Sequence, residues 1–160
     1  MNKFFSMLII LSILTASFLL VGCDVKPETE KIYKVGYNGP AGGLIFYDKG
    51  TYSDGWRYLE CAPKSTEWKN KMWGGYGTTV TGADGTDIGT GKQNTIDIVS
   101  QFGDSEPYAS KTDYAAKLCN NLVSGGYDDW FLPSKDELTQ MFINLEKNNL
   151  GEFAFDGYWS

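Results

Sequence analysis

The sequence predicts an α+β domain in which short antiparallel strands come first, a long irregular loop follows, and two or three helices complete the chain. Short β-favouring runs broken by glycine predict the strands within residues 32–62, and apolar residues at helical spacing predict the helices beyond residue 93. Residues 63–93 show neither periodicity but carry several aromatic residues, which predicts an irregular segment packed onto the domain. The composition, with 42% hydrophobic and 15% aromatic residues, is that of a folded protein.

Three runs are predicted to form an antiparallel hairpin or meander. Ile32–Val35 alternates, Leu44–Tyr47 is an apolar run suited to a buried strand, and Trp56–Ala62 favours a further strand. The segments Gly39–Gly43 and Asp48–Gly50 separate these runs, and both are predicted to be turns.

The first two helices are predicted from apolar spacing and from glycine stops. Asn94 or Thr95 is expected to cap the first helix, which Gly103 ends. Its predicted apolar face consists of Ile96, Val99 and Phe102. The second helix is predicted over Thr112–Ser124, and a glycine pair marks its end. Its predicted apolar positions are Tyr114, Ala115, Leu118, Cys119, Leu122 and Val123.

The third helix has the clearest start signal in the chain. Ser134 and Glu137 form a capping box directly after a proline, and they are expected to satisfy the first free amides of the helix. The predicted apolar stripe consists of Leu138, Met141, Phe142 and Leu145. Gly151 is the predicted stop, and Trp130 and Leu132 alternate in the extended run before the helix, so both are predicted to enter the core.

The first 22 residues have the form of a secretory signal that ends at a lipidated cysteine. No charged residue occurs from Phe4 to Gly22, and Leu20–Cys23 resembles the lipobox that lipoprotein signal peptidase cleaves. The nineteen uncharged residues are also long enough for an uncleaved membrane helix, which is the alternative reading. Residues 1–22 are therefore predicted to be the signal, residues 23–31 the lipidated cysteine and a polar tether, and residues 32–160 the domain.

The predicted location is a membrane surface outside the cytoplasm. A diacylglyceryl group on Cys23 would hold the chain stably, because each buried methylene contributes about 0.8 kcal/mol. The outer membrane or cell surface and the periplasmic face of the inner membrane both stay open, since the meaning of Asp24 depends on the bacterial lineage.

Net charge and residue usage exclude several function classes. A formal charge of −6 argues against a nucleic-acid partner, which requires clustered lysine and arginine. The chain has no histidine, which excludes the usual catalytic triad and histidine-containing metal sites. No enzyme activity and no required cofactor are therefore expected.

Once Cys23 is lipidated, Cys61 and Cys119 remain as an even pair. In an oxidising compartment they are predicted either to form a disulfide or to stay as buried thiols. A bridge would close a loop of roughly sixty residues and stabilise the fold by about 4 kcal/mol.

Ligand-binding residues are predicted in and near the irregular segment. Exposed aromatic rings with polar neighbours suit the faces of sugars, and the candidates are Trp68, Trp73, Tyr76 and Tyr108, although each could instead pack the loop onto the sheet. A calcium ion is a weaker candidate at Asp84 and Asp87, which lie on a glycine-rich loop but lack EF-hand spacing.

One segment carries a family resemblance. Gly125–Leu138 (GGYDDWFLPSKDEL) resembles the signature of the Lcl C-terminal domain family, a bacterial domain of unknown function. Further matches, within residues 33–160, are Gly39–Asp48, Gly55–Glu60, Ile88–Lys92 and Tyr158–Ser160. The resemblance implies the C-type-lectin-like fold, which formylglycine-generating enzymes share. The named member of the family is a surface adhesin thought to bind sulfated polysaccharide. The cysteines match no catalytic motif of those enzymes, so no activity is implied.

Two departures from that family change what is expected. Phe131 stands where the family usually has arginine, and the chain stops at Ser160 where relatives continue with terminal strands. The domain is therefore expected to be incomplete, with an unpaired sheet edge. The predicted function is a membrane-anchored binding module, a glycan- or host-matrix-binding adhesin. The alternative is a structural or assembly lipoprotein that pairs its open edge with a partner chain.

Overall fold

The computed structural model describes residues 31–75, 77–103, 113–154 and 156–160. The predictions for the signal, for Cys23 and almost all of its tether, and for Tyr76 and Tyr108 lie outside the described residues. The described part is α+β, with a two-stranded antiparallel sheet and three α-helices. The predicted class is thus confirmed at this level.

The sheet is a hairpin of strands β1 (Leu44–Ser53) and β2 (Trp56–Cys61). Its turn is Asp54–Gly55, whose φ angles of 52° and 84° suit the two-residue turn that right-handed strand twist favours. The turn predicted at Asp48–Gly50 is wrong, because β1 continues through it. Gly50 absorbs a register irregularity there with a φ of 87°.

Ile32–Val35, predicted to be a strand, is not one, and Ile32 is 73% exposed. The residues that follow it pair with β1 instead. The amide of Gly36 donates to the Ile45 carbonyl at 2.8 Å, and the Ile45 amide donates to the Tyr37 carbonyl at 2.9 Å. The glycine-rich turn then packs on β2, where the Glu60 carboxylate accepts the Gly43 amide at 2.6 Å.

Helix α1 spans Gly91–Phe102 and begins three residues before the earlier of its two predicted caps. Thr90 is the cap residue, and Thr95, one of the predicted caps, is buried inside the helix. Of the predicted apolar face, Phe102 is buried and Val99 packs against buried residues, but Ile96 is exposed. Ile98 is buried in its place, because it lies with Gly91, Thr95 and Phe102 on the face that packs inward. Gly103 ends the helix as predicted.

Helix α2 spans only Ala115–Asn120, so the predicted helix is too long at both ends, and Tyr114 is its extended cap residue. The Leu122 amide bonds the Cys119 carbonyl at 3.1 Å, which tightens the last turn, and Val123 is exposed. A bridge between Ser124 and Tyr127 then closes a turn over the glycine pair. Both glycines have positive φ, and a Cβ on Gly125 would lie 2.1 Å from the Ala41 carbonyl oxygen.

Helix α3 spans Lys135–Asn144 and confirms the predicted capping box. The helix ends before the predicted stop at Gly151, because a 3₁₀ turn over Glu146–Asn148 follows it and Asn149 adopts a left-handed conformation. A second 3₁₀ turn spans Lys64–Thr66. Leu145 is fully buried, whereas Phe142, predicted to be on the apolar stripe, is 51% exposed.

Apolar side chains form two clusters in the described part. The helix cluster consists of Val80, Ile98, Phe102, Tyr114, Ala115, Ala116 and Leu132. The hairpin cluster consists of Phe46, Leu59, Cys61 and Leu145. Leu132 therefore enters the core as predicted, while Trp130 is only partly buried.

A buried polar junction, defined by Gly89, Gly91, Thr95, Leu132, Ser134 and Glu137, joins the starts of helices α1 and α3. The fully buried Glu137 carboxylate accepts the Gly89 amide at 2.8 Å and the Ser134 amide at 2.7 Å. The Ser134 hydroxyl donates to the Asp87 carbonyl at 2.9 Å. A Cβ on Gly91 would lie 2.2 Å from Glu137 Oε2, so only glycine fits at this approach.

Thr95 completes the junction. Its hydroxyl accepts the Leu132 amide at 2.9 Å and donates to the Gly91 carbonyl at 2.8 Å, so α1 holds the extended chain that leads into α3. Buried amides need such a partner, because leaving one without an acceptor costs about 1–3 kcal/mol.

We expect Thr95→Val to lower the free energy of unfolding by about 1–3 kcal/mol, because valine keeps the shape but leaves the Leu132 amide without an acceptor. Thr139→Val is the matched control. Its hydroxyl donates to the carbonyl four residues earlier at 2.8 Å, as in Thr95, but this residue is exposed. The control should change the free energy by no more than about 0.5 kcal/mol. Urea unfolding measures both, and equal effects would contradict the role of the junction.

Candidate binding groove

A cavity of about 860 Å³ runs beside β2, and we call it the tryptophan groove. Its walls come from β2, the loop of residues 62–71, helix α2, the extended residues 127–133 and the C-terminal residues. Four of the five tryptophans of the chain line it: Trp56, Trp68, Trp130 and Trp159. The fold therefore brings together aromatic residues that lie up to about a hundred positions apart.

Trp68 and Trp159 are the most exposed of the four, at 40% and 52%. The indole nitrogen of Trp159 donates to the Lys71 carbonyl at 2.8 Å, which ties the C-terminal residues to the loop that carries Trp68. Both residues therefore keep accessible surface in the lining of the groove.

Trp56 and Trp130 are partly buried and more constrained. The Lys49 ammonium lies 3.9 Å from the centre of the Trp56 ring, and the Tyr47 ring lies 6.3 Å away. The indole nitrogen of Trp130 donates to the Tyr127 carbonyl at 3.2 Å. These two rings are held in place by the domain itself, so they form fixed parts of the wall.

The C-terminal residues dock on the loop through Tyr158. Its hydroxyl donates to the Glu67 carboxylate and accepts the Ala154 amide at 2.7 Å. Burial and the hydrogen bond to Glu67 raise the pKa of Tyr158 to about 12. The hydroxyl therefore remains a proton donor to Glu67 throughout the physiological pH range.

A second cavity, of about 530 Å³, lies between α3 and the same C-terminal residues. Met141 and Phe142 line its helical side, and Phe153, Asp156 and Tyr158 line its other side. The last three residues also line the tryptophan groove, so the C-terminal residues form a wall common to both cavities.

The predicted ligand-binding residues do not all lie in the groove. Trp68 lies in the groove, whereas Trp73 packs against the helix cluster and does not line the groove. Tyr76 and Tyr108 lie outside the described residues. The sequence predicts Trp130 as a core residue and Trp56 as a strand residue, and Trp159 occurs only in a matched motif. Their shared position depends on contacts between distant segments that no local pattern reveals.

The two cysteines are free thiols in the structure, so the disulfide predicted as one alternative for Cys61 and Cys119 is not formed. Cys61 belongs to the hairpin cluster, and Cys119 packs against the helix cluster. Burial raises the pKa of both thiols, to about 11 for Cys119. Both line the tryptophan groove as apolar side chains rather than as nucleophiles.

In the loop predicted to bind calcium, a backbone carbonyl already accepts hydrogen bonds from within the domain. The Asp87 carbonyl accepts the hydroxyls of Thr90 and Ser134, at 2.7 and 2.9 Å. Asp84 and Asp87 are both exposed. Within the described ranges, no group of three or more Asp, Glu, Cys or His residues is arranged to hold a metal ion. Calcium at this loop stays a prediction.

We expect Cys119 of the native chain to react slowly with iodoacetamide at pH 8, since a pKa of about 11 leaves little thiolate at that pH. The rate should rise as the pH approaches 11, and unfolding in urea should expose both Cys61 and Cys119 to rapid labelling. Mass spectrometry without reductant measures the outcome. A mass two protons lower, with no labelling of the unfolded chain at these cysteines, would show a disulfide instead.

Among the residues that the structure describes, no helix is both long enough and apolar enough to cross a bilayer. Comparison with known proteins found no matching family model, no matching curated protein and no matching solved structure.

Proposed function

We propose that this protein is a lipoprotein anchored through Cys23 outside the cytoplasm, and that its domain is a binding module of the adhesin type. Its ligand, a glycan or a component of the host matrix, would lie in the tryptophan groove. The observation that carries the proposal is the convergence of four of the five tryptophans on one groove.

Such a groove has the properties of a ligand site. Its volume of about 860 Å³ lies in the range of small-ligand sites, which combine apolar walls with a few polar groups. Tryptophan offers a large, rigid contact surface with little conformational entropy to lose on binding. Trp68 and Trp159 are placed at the accessible wall, where the faces of sugar rings can stack on them.

The anchor is supported by the order of the N-terminal segments. An uncharged run from Phe4 to Gly22 leads directly to Cys23, and a polar segment with Pro27 follows. Two acyl chains on one cysteine hold a protein stably, whereas a single chain binds reversibly. A domain tethered in this way would present its groove to the space outside the membrane.

A C-type-lectin-like fold is the finer structural proposal. Its support is the segment Gly125–Leu138, because several of its residues have structural roles in this fold. Leu132 enters the helix cluster, and Ser134 and Glu137 cap α3. The sheet of the described part has two strands, and the fuller sheet of a lectin-like domain is part of the proposal.

The alternative, an assembly lipoprotein, is favoured by one observation. Among the described residues, β2 pairs with β1 alone, and the groove runs along β2 from Trp56 to Cys61. An extended segment of a partner chain could therefore add to that edge. A stable oligomer that binds no glycan would support this function over the first.

We expect Trp68→Ala and Trp159→Ala each to weaken glycan or matrix binding by about 2 kcal/mol, roughly thirtyfold, because each removes an exposed stacking surface. Tyr52→Ala is the control, since Tyr52 is an exposed aromatic residue outside the groove. Binding of the full-length chain in detergent to glycan arrays and immobilised matrix proteins is the measurement. Unchanged binding by both tryptophan variants, with circular dichroism showing that they are folded, would overturn the assignment of the groove.

The anchor has its own test. Cells grown with radiolabelled palmitate should incorporate label into the wild-type chain and into Cys119→Ser, but not into Cys23→Ser, which lacks the sulfur that forms the thioether. The Cys23→Ser chain should also leave the membrane fraction if its signal is processed. Equal labelling of all three chains would show that Cys23 is not the site of lipid attachment.

A further inference from the structure

The charges around the tryptophan groove narrow the class of ligand. Resting on the proposed function, we infer that the groove binds an uncharged polysaccharide and not a polyanion.

Three of the four lysines that line the groove lie beside carboxylates of the chain. Lys71 lies 3.6 Å from Asp113, and Lys92 lies 3.7 Å from Asp129. Lys64 lies 3.9 Å from the Glu152 carboxylate. The fourth lysine that lines the groove is Lys69, and no arginine lines it in the described part of the chain. Recognition of sulfate or phosphate groups normally uses several cations free to converge on them, often arginines.

Carboxylates outnumber these cations along the described walls. The acidic residues that line the groove are Asp54, Glu60, Glu67, Asp129 and Asp156. With a chain whose formal charge is −6, this lining offers no positive field to attract a polyanion. A sulfated or uronate-rich polymer would therefore approach against net repulsion and would have to displace existing ion pairs.

An uncharged sugar chain meets no such penalty. Its apolar ring faces match the exposed faces of Trp68 and Trp159, and its hydroxyls can both donate and accept hydrogen bonds. The polar groups at the groove that already have partners, such as Glu67 with Tyr158, can still accept from a hydroxyl through a remaining lone pair. Two exposed tryptophans in the lining of one groove suit a polymer that offers successive sugar faces.

The class of ligand predicts how binding responds to salt. Attraction to a polyanion is screened as ionic strength rises, because the Debye length falls from about 10 Å at 0.1 M to about 3 Å at 1 M. Stacking on tryptophan depends on apolar contact and changes little over that range. Salt dependence therefore separates the two classes of ligand independently of which sugar is bound.

The experiment is affinity electrophoresis of the full-length chain in a mild, uncharged detergent. The gels contain either neutral polysaccharides (β-glucan, xylan, galactomannan) or anionic ones (heparin, dextran sulfate, polygalacturonate). We expect at least one neutral polymer to retard the chain, with affinities at about 0.05 M and about 0.5 M salt that agree within about twofold. The same gels with Trp68→Ala should show roughly a tenfold or greater loss of affinity.

The possible results separate this inference from the function on which it rests. Retardation only by the anionic polymers, lost at the higher salt concentration, overturns the inference but leaves a glycan-binding groove. Retardation by neutral polymers that Trp68→Ala leaves unchanged overturns the inference, because the sugar then binds elsewhere. If neither class of polymer retards the chain, the glycan-binding function itself is overturned together with the inference.

Discussion

The described fold depends on a buried carboxylate that must be fully hydrogen-bonded. An ionised or polar group removed from water is costly unless it has partners, and Glu137 finds them in the amides of Gly89 and Ser134. One side chain thereby joins two segments separated by more than forty residues. Thr95, on helix α1, joins the same two segments a second time by accepting the amide of Leu132. The orientation of α1 against α3 follows from these few contacts, together with the absence of a side chain at Gly91.

Two walls of the tryptophan groove are held in place by different kinds of contact. The wall that carries Trp130 continues directly into Leu132 and the buried polar junction, so interior hydrogen bonds hold it. The wall that carries Trp159 and Tyr158 is held by contacts with Lys71 and Glu67 that lie at the surface. Surface contacts of this kind contribute less to stability than buried ones, because water competes for the same groups. The groove thus has one wall fixed by the core and another fixed by local docking.

Local signals in the sequence predicted part of this fold, and their limits have physical causes. The capping box of α3 and the strand-forming runs depend only on residues close together in sequence, so they can be predicted without the tertiary structure. The start of α1 depends on Gly91 packing against Glu137, which lies far away in sequence. Asp54–Gly55 is a pair typical of hairpin turns, whereas Asp48–Gly50, which is equally turn-like in sequence, lies inside β1. The aromatic residues of the irregular segment predict Trp68 and Trp73 alike as ligand-binding residues. Whether such a residue is exposed, like Trp68, or packed inward, like Trp73, depends on the distant segments that cover it.

The tryptophan groove and the second cavity share a wall formed by the C-terminal residues. Phe153 and Tyr158 face both spaces and contact each other edge to face, with ring centres 5.9 Å apart. A molecule that shifts this pair from one side alters the free energy of binding on the other, and thermodynamic linkage makes the effect equal in both directions. Because the short C-terminal stretch lines both the groove beside β2 and the hollow against α3, any movement of that stretch changes the shape of both spaces.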